Sequence, residues 1–286
     1  MGSTVRSTGV AATAKDSAPT PRGTVAYLSG VPARTPADRR EELVALYREL
    51  SCDHPCPLAE TRTKIVFGSG NADADLMFVG EAPGAEEDRR GKPFVGRAGK
   101  LLDRLLEEIG LSREQVFIAN VLKCRPPGNR DPLPNEIEEC SPYLFRQVEL
   151  IEPLVVCTLG NFATKLLSGA PTGITKVHGR PQERELGGSA VRLVPLFHPA
   201  AALRTESVLE VLRADFARLL DLLTEARAAA TDDDDAGAEA APELGPGLPK
   251  AEPTGGAEGG DRTDGRSDLP EGGTGRDEPP QLDLFG

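Results

Sequence analysis

The sequence predicts an α/β protein, with a parallel sheet covered by helices on both faces and a polar tail at each end. Three observations predict this. Apolar runs of five or six residues recur between amphipathic stretches, the alternation that builds a parallel sheet through helical crossovers. Each unusual motif directly follows one of these runs, where ligands bind in such sheets. Composition separates a nearly charge-balanced centre from two ends poor in large apolar residues.

The elements follow in order. Residues 1–34, rich in Ser, Thr, Ala, Gly and Pro, are expected to be a disordered tail. They contain no apolar run of roughly 7–15 residues, which argues against a secretory signal. A folded domain is expected over 35–227. Thr35-Pro36 supplies a capping hydroxyl and a proline at the first helical position, opening a helix to about Leu50 with Leu43, Leu46 and Tyr47 on one face. Cys52-Asp-His-Pro-Cys56 reads as a loop, and Asp75–Val79 as a buried strand. Next come a Gly/Pro turn, an acidic loop, the lone aromatic Phe94, and a helix from Arg97 to Ile109 that Gly110 ends.

Val116–Val121 is the second strand, Lys123–Pro134 a basic, Pro-rich loop, and Glu136–Leu150 a helix. Leu154–Leu159 is the third strand, after which Gly160-Asn161 opens a helix through Leu167. Val191–Leu196 is the fourth strand, followed by Phe197-His-Pro-Ala-Ala-Ala-Leu-Arg204 and a last helix from Thr205 to about Arg227.

From Ala228 onward the chain holds fifteen acidic and four basic residues, which accounts for nearly all of the net charge of −12. Residues 228–286 are expected to be an acidic disordered tail, unable to bury enough surface to offset ordering entropy. The acidity describes this tail and leaves a nucleic-acid partner open for the centre. No stretch approaches ~20 apolar residues, so no membrane helix is expected. The cysteine usage suits a cytoplasmic protein.

Of five cysteines, Cys52, Cys56, Cys124 and Cys140 fall at loop or helix-end positions, where thiolates can hold a [4Fe-4S] cube. Zinc is the second reading, although the wide Cys124–Cys140 spacing departs from paired zinc knuckles. Cys157, inside an apolar strand, reads as core. At the expected carboxyl edge stand Gly80, Glu81, Ala82, Glu87, Phe94, Asn120 and His198. A flat ring, an amide and close backbone approach suit a planar, uncharged ring with polar edges. Glu81 or Glu87 could orient a water, and His198 could donate to a carbonyl oxygen. Lys123, Arg125, Arg130 and Arg204 lie on the rimming loops as phosphate contacts, and the helix opening at Asn161 offers free backbone N–H groups for the same purpose.

Gly80-Glu-Ala-Pro-Gly84, Gly91-Lys-Pro-Phe-Val-Gly-Arg-Ala-Gly-Lys-Leu-Leu-Asp103, Asn120-Val-Leu-Lys-Cys-Arg-Pro-Pro-Gly-Asn-Arg130 and His198-Pro-Ala-Ala-Ala-Leu-Arg204 together resemble the family-4, iron–sulfur uracil-DNA glycosylases. The resemblance spans about Thr35 to Arg227. It implies an αβα sandwich, here expected on a central four-stranded parallel sheet, and removal of uracil from DNA, single- or double-stranded; the chain is expected to be a monomer. It further implies that Cys52, Cys56, Cys124 and Cys140 ligate the cluster, that Phe94 stacks on flipped-out uracil, and that Asn120 reads its polar edge. Gly80, Glu81 and Ala82 line the base, Glu87 matches a catalytically important acidic position, and His198 contacts the O2 side. The first cysteine pair departs from the family by one extra intervening residue. A related group that traps uracil covalently carries a basic, His-containing insertion; here only Asp88-Arg-Arg-Gly-Lys92 stands, so turnover is expected. A non-catalytic iron–sulfur DNA-binding protein, and a glycosylase for other deaminated bases, are the alternative readings.

Finally, Gln281-Leu-Asp-Leu-Phe285 resembles the short peptide by which bacterial repair proteins engage the DNA polymerase sliding clamp. Gln281, Leu282, Leu284 and Phe285 would be its anchors in a hydrophobic groove.

Overall fold

The computed structural model describes residues 34–52 and 56–238, with side chains from 56 to 230 and before 52. The elements run α1 (Pro36–Cys52), β1 (Ser69–Gly70), β2 (Leu76–Gly80), α2 (Ala85–Arg90), α3 (Arg97–Glu108), β3 (Phe117–Asn120), α4 (Pro134–Ile151), β4 (Val155–Leu159), α5 (Asn161–Ser168), α6 (Ile174–Val177), β5 (Gln182–Leu186), β6 (Ser189–Leu196), α7 (Pro199–Ala202), α8 (Glu206–Ala217) and α9 (Leu219–Ala238).

These build a six-stranded mixed sheet in the order β1-β3-β2-β4-β6-β5. This corrects the expected four-stranded parallel sheet. The four expected strands (β2, β3, β4 and β6) do pair in parallel at its centre. A short antiparallel strand lies on each edge, β1 against β3 and β5 against β6. Both edge strands lacked a sequence signal, each for its own reason. β1 is only the pair Ser69-Gly70, and β5, Gln-Glu-Arg-Glu-Leu, exposes alternate polar residues at the margin of the sheet.

Alternation along the inner strands sorts the core into two layers. Met77 and Val79 of β2 face one side with Phe117 and Ala119, packed under Leu43, Leu46 and Leu50 of α1 and Leu144 and Val148 of α4. Leu76 and Phe78 face the other side with Ile118 and Cys157. That side is covered by Leu101, Leu102, Leu105 and Leu106 of α3, Phe216 of α8 and Leu222 and Leu223 of α9. Cys157 is therefore a core residue, on the face opposite Cys56, Cys124 and Cys140.

Three boundaries differ from expectation. Cys52 ends α1 instead of opening a loop. The acidic segment after Gly84 is α2, started by a run of carboxylates at the positive helix end. The expected last helix breaks near Arg218 into α8 and α9, and α9 runs past the expected tail boundary to Ala238. Of the expected first tail only Arg34 is described, donating to Glu149 O; residues 1–33 and the peptide Gln281–Phe285 lie outside the described residues. No helix among the described residues is long and apolar enough to cross a membrane.

Candidate active site and sulfur corner

Parallel pairing brings four strand ends to one edge. Gly80 and Asn120 are register partners on β2 and β3, and the pairing continues as Val121 N–H donates to Gly80 O and Leu122 N–H to Glu81 O. Gly160 N–H donates to Leu196 O, setting the start of α5 beside the Phe197-His198 turn. Between these ends lies a cleft of about 590 Å³ lined by Glu81, Ala82, Glu87, Phe94, Asn120, His198, Arg204 and the loop residues Asn129 to Asp131. A second cleft, about 670 Å³, adjoins it through Glu81, Asp131 and His198 and extends over Asn161, Phe162 and Lys165.

The slot depends on a missing Cβ. A side chain at Gly80 would meet Asn120 Oδ1 at 2.3 Å and the Phe94 ring at 2.7 Å. Asn120 is buried, and its Oδ1 is a buried oxygen with no hydrogen-bond partner among the described residues. Native structures rarely leave such an acceptor unmatched, and this one faces the cleft lined by Phe94 and His198.

Phe94 is buried and sits at φ 51°, a left-handed conformation costly for a non-glycine residue. The loop is held from both sides. Glu87 Oε1 accepts from Val95 N–H at 3.0 Å and Gly96 N–H at 2.9 Å. Arg113 donates to Pro93 O at 2.9 Å and Phe94 O at 2.6 Å, and pairs with Asp103. Nothing in local spacing pointed to Arg113, because it acts from outside the motif.

His198 caps α7: its Nδ1 accepts from Ala200 N–H at 3.0 Å. A neutral ring accepting at Nδ1 carries its proton on Nε2. Burial, opposed weakly by Glu87, pushes its pKa down to about 4, so the ring is neutral near pH 7. It lies 5.7 Å from the Phe94 ring at 30°. Glu81 is pushed above the usual carboxylate range by burial and then by Asp131. Asp131, a cleft residue that sequence reasoning missed, had no motif to mark it.

The expected phosphate ligands divide. Arg204 and Arg130 are exposed at the cleft, but Arg130 is bidentate to the buried Glu136. Arg125 donates to Asn129 Oδ1, and Asn161 Oδ1 accepts from Ile174 N–H. Lys123 is a correction: it is 0% exposed and reaches no solvent. Its ammonium donates to Asn120 O and Gln147 Oε1, and burial lowers its pKa to about 7.

Behind this edge, Cys56, Cys124 and Cys140 converge in the core. Cys56 Sγ lies 3.5 Å from Cys124 Sγ, and Arg62 donates to Cys124 Sγ at 3.1 Å. Cys56 is held well below the usual thiol range by hydrogen bonds from Cys124 and Cys140, and those two are pushed up chiefly by the same contacts. The Cys52 side chain lies outside the described residues. Among the described residues, no group of three His, Cys, Asp or Glu side chains is arranged around a metal-ion position.

The carboxyl edge of this α/β sheet thus carries a cleft lined by an aromatic ring, a buried amide, a histidine and carboxylates. The comparisons with known proteins agree. The family model "Uracil DNA glycosylase superfamily" matches residues 67–223. The type-4 uracil-DNA glycosylase of Archaeoglobus fulgidus is 46% identical over 186 residues, which span 64% of this chain and 94% of that one. That of Thermotoga maritima is 48% identical over 171 residues, 59% and 87% of the two chains. A type-5 uracil-DNA glycosylase from Pyrobaculum aerophilum is 32% identical over 168 residues, 50% and 72% of the two chains. The chain belongs to the uracil-DNA glycosylase superfamily and, within it, to the type-4 family.

Proposed function

We propose that this protein flips uracil out of DNA and hydrolyses its N-glycosidic bond, leaving an abasic site. The single observation that carries the reading is the unpartnered Asn120 Oδ1 at the floor of a slot walled by Phe94 and opened by Gly80. Uracil presents an N3–H donor beside the O4 acceptor, which an amide matches with both its atoms. Cytosine inverts this pattern and would leave buried groups unpaired. Extrusion of the base costs a few kcal/mol, of which stacking on Phe94 returns ~1–3 kcal/mol.

Bond cleavage separates an anionic uracil from a cationic sugar. The neutral His198, with its proton on Nε2, donates toward O2 and stabilises the anion. Glu81 faces the cleft where water would approach the sugar, and we assign it the orienting role. Glu87, committed through Oε1 to the Phe94 loop, is a positioning residue. Water attacking an oxocarbenium-like centre needs placement more than a strong base. Arg204 and the start of α5 would receive phosphates.

The donor chemistry of the sulfur corner fits an iron–sulfur cluster: three buried thiols meet beside the cations Arg62 and Lys123. Cys56, Cys124 and Cys140, with Cys52, would hold a [4Fe-4S] group. Such a group would supply no chemistry to the cleft; it would pin the Cys124 loop to α4. The C-terminal Gln281–Phe285 peptide would recruit the enzyme to a polymerase sliding clamp, the acidic tail acting as tether. Incubating the holoprotein with oligonucleotides bearing uracil, hypoxanthine or a thymine mismatch tests the activity. Release of uracil above the others is expected. Binding without release would favour a non-catalytic DNA-binding protein.

A further inference from the structure

Lys123 is a buried ammonium midway between the base slot and the sulfur corner. A Met or Leu could fill the same volume without stripping water from a charge, and burying a charge is costly unless it is well paired. Here the pairing is specific. Nζ donates to Asn120 O at 2.8 Å, closing the turn from Asn120 to Lys123 on itself. It also donates to Gln147 Oε1 at 2.6 Å. Gln147 is fully buried on α4, the helix that carries Cys140, and its Nε2 donates to Phe67 O at 3.0 Å. The main chain of Lys123 is fixed too, its carbonyl accepting from Val66 N–H at 2.8 Å.

The Asn120 side chain needs such support. Its Oδ1 has no partner among the described residues, so no protein hydrogen bond to that oxygen fixes the amide. Its position is set from the backbone side, by β-pairing with Gly80 and by the ammonium on its carbonyl. We propose that Lys123 is a positioning residue for base recognition, holding the Asn120 amide at the depth where it meets the base edge and tying that depth to α4 through Gln147. This rests on the reading of Asn120 as the base-pairing amide. It predicts that uracil recognition can be damaged from inside the core with the DNA-facing surface and the sulfur ligands untouched.

The experiment compares full-length holoprotein with Lys123→Met, Gln147→Leu and Gln147→Glu. Three quantities are read: affinity for free uracil, affinity for an oligonucleotide bearing an abasic-site analogue, and iron per chain. Lys123→Met is expected to lose at least ~10-fold in uracil affinity, with abasic-DNA affinity and iron content unchanged. Gln147→Leu should lose part of this, and Gln147→Glu, which keeps an acceptor for the ammonium but loses the donor to Phe67 O, should lose less than Gln147→Leu. Unchanged uracil affinity in Lys123→Met overturns the proposal. Parallel loss of uracil affinity, abasic-DNA affinity and iron also overturns it, since Lys123 would then serve the fold alone. If Lys123→Met does not fold, Gln147→Leu decides by the same criteria. Failure of the parent protein itself to bind uracil would instead refute the reading of Asn120.

Discussion

The base slot and the sulfur corner are both buried, both sit behind the same strand ends, and they are built on opposite terms. In the slot the walls are fixed and the interior is left wanting. Phe94 is forced into a left-handed conformation and clamped by Glu87 and Arg113, while Asn120 Oδ1 goes unmatched. In the corner the groups are in contact with one another: sulfur on sulfur, Arg62 on Cys124, Lys123 on two acceptors. A rigid frame around an unsatisfied acceptor suits a guest that comes and goes, whereas the buried thiols are where we propose a resident group. The two should therefore fail differently when mutated.

The largest effect is expected in the corner. If the proposed cluster is present, Cys124→Ser should cost most of its iron and lower Tm, with base release falling as a consequence; iron analysis and thermal melts check this. Retention of full iron would remove Cys124 from the ligand set. His198→Ala should cut single-turnover uracil release by ~10²–10³-fold, as loss of an oxyanion-type donor does, with iron unchanged. Loss of iron in that variant would break the division between the two regions.

The carboxylates come next. Glu81→Gln should slow single-turnover release by at least ~10-fold, about 1.4 kcal/mol. Glu87→Gln keeps an oxygen for Val95 and Gly96 N–H and should lose less. The reverse order would exchange their roles.

The pH profile sharpens the assignment of His198. Its folded pKa, about 4, lies below the ordinary histidine value of 6.5 because burial disfavours the cation. Activity that needs the neutral ring is retained on lowering pH until about 4 and then lost. The stability linked to the neutral ring is full above the unfolded value and lost as pH falls through the window between the two. Glu81, raised by burial, adds an acid limb of its own. In Glu81→Gln the remaining limb should therefore centre near 4, and a limb near the ordinary histidine range would contradict the buried, neutral ring.

Much of the slot was legible because its parts are motif residues at strand ends. Gly80, Asn120 and His198 each end or follow an apolar run, and parallel pairing brings such ends together, while Phe94 stands out as a lone aromatic in a polar loop. What supports them was illegible. Arg113 and Asp131 are reached only through tertiary contact, and a charged residue in a loop carries no sign of its partner. Lys123 was misjudged for the same reason. A lysine in a basic, Pro-rich loop reads as solvent-facing, and only the path of the chain after β3 folds it inward onto Asn120 O. The edge strands escaped because one is too short and the other too polar to show a period.

The most direct measurement is the rate of base release from otherwise identical oligonucleotides holding uracil or cytosine, for the parent and for Asn120→Asp under single-turnover conditions. The parent should release uracil and leave cytosine intact, and Asn120→Asp should narrow that preference by at least ~10-fold. An undiminished preference for uracil in Asn120→Asp would show that the unmatched amide does not read the base.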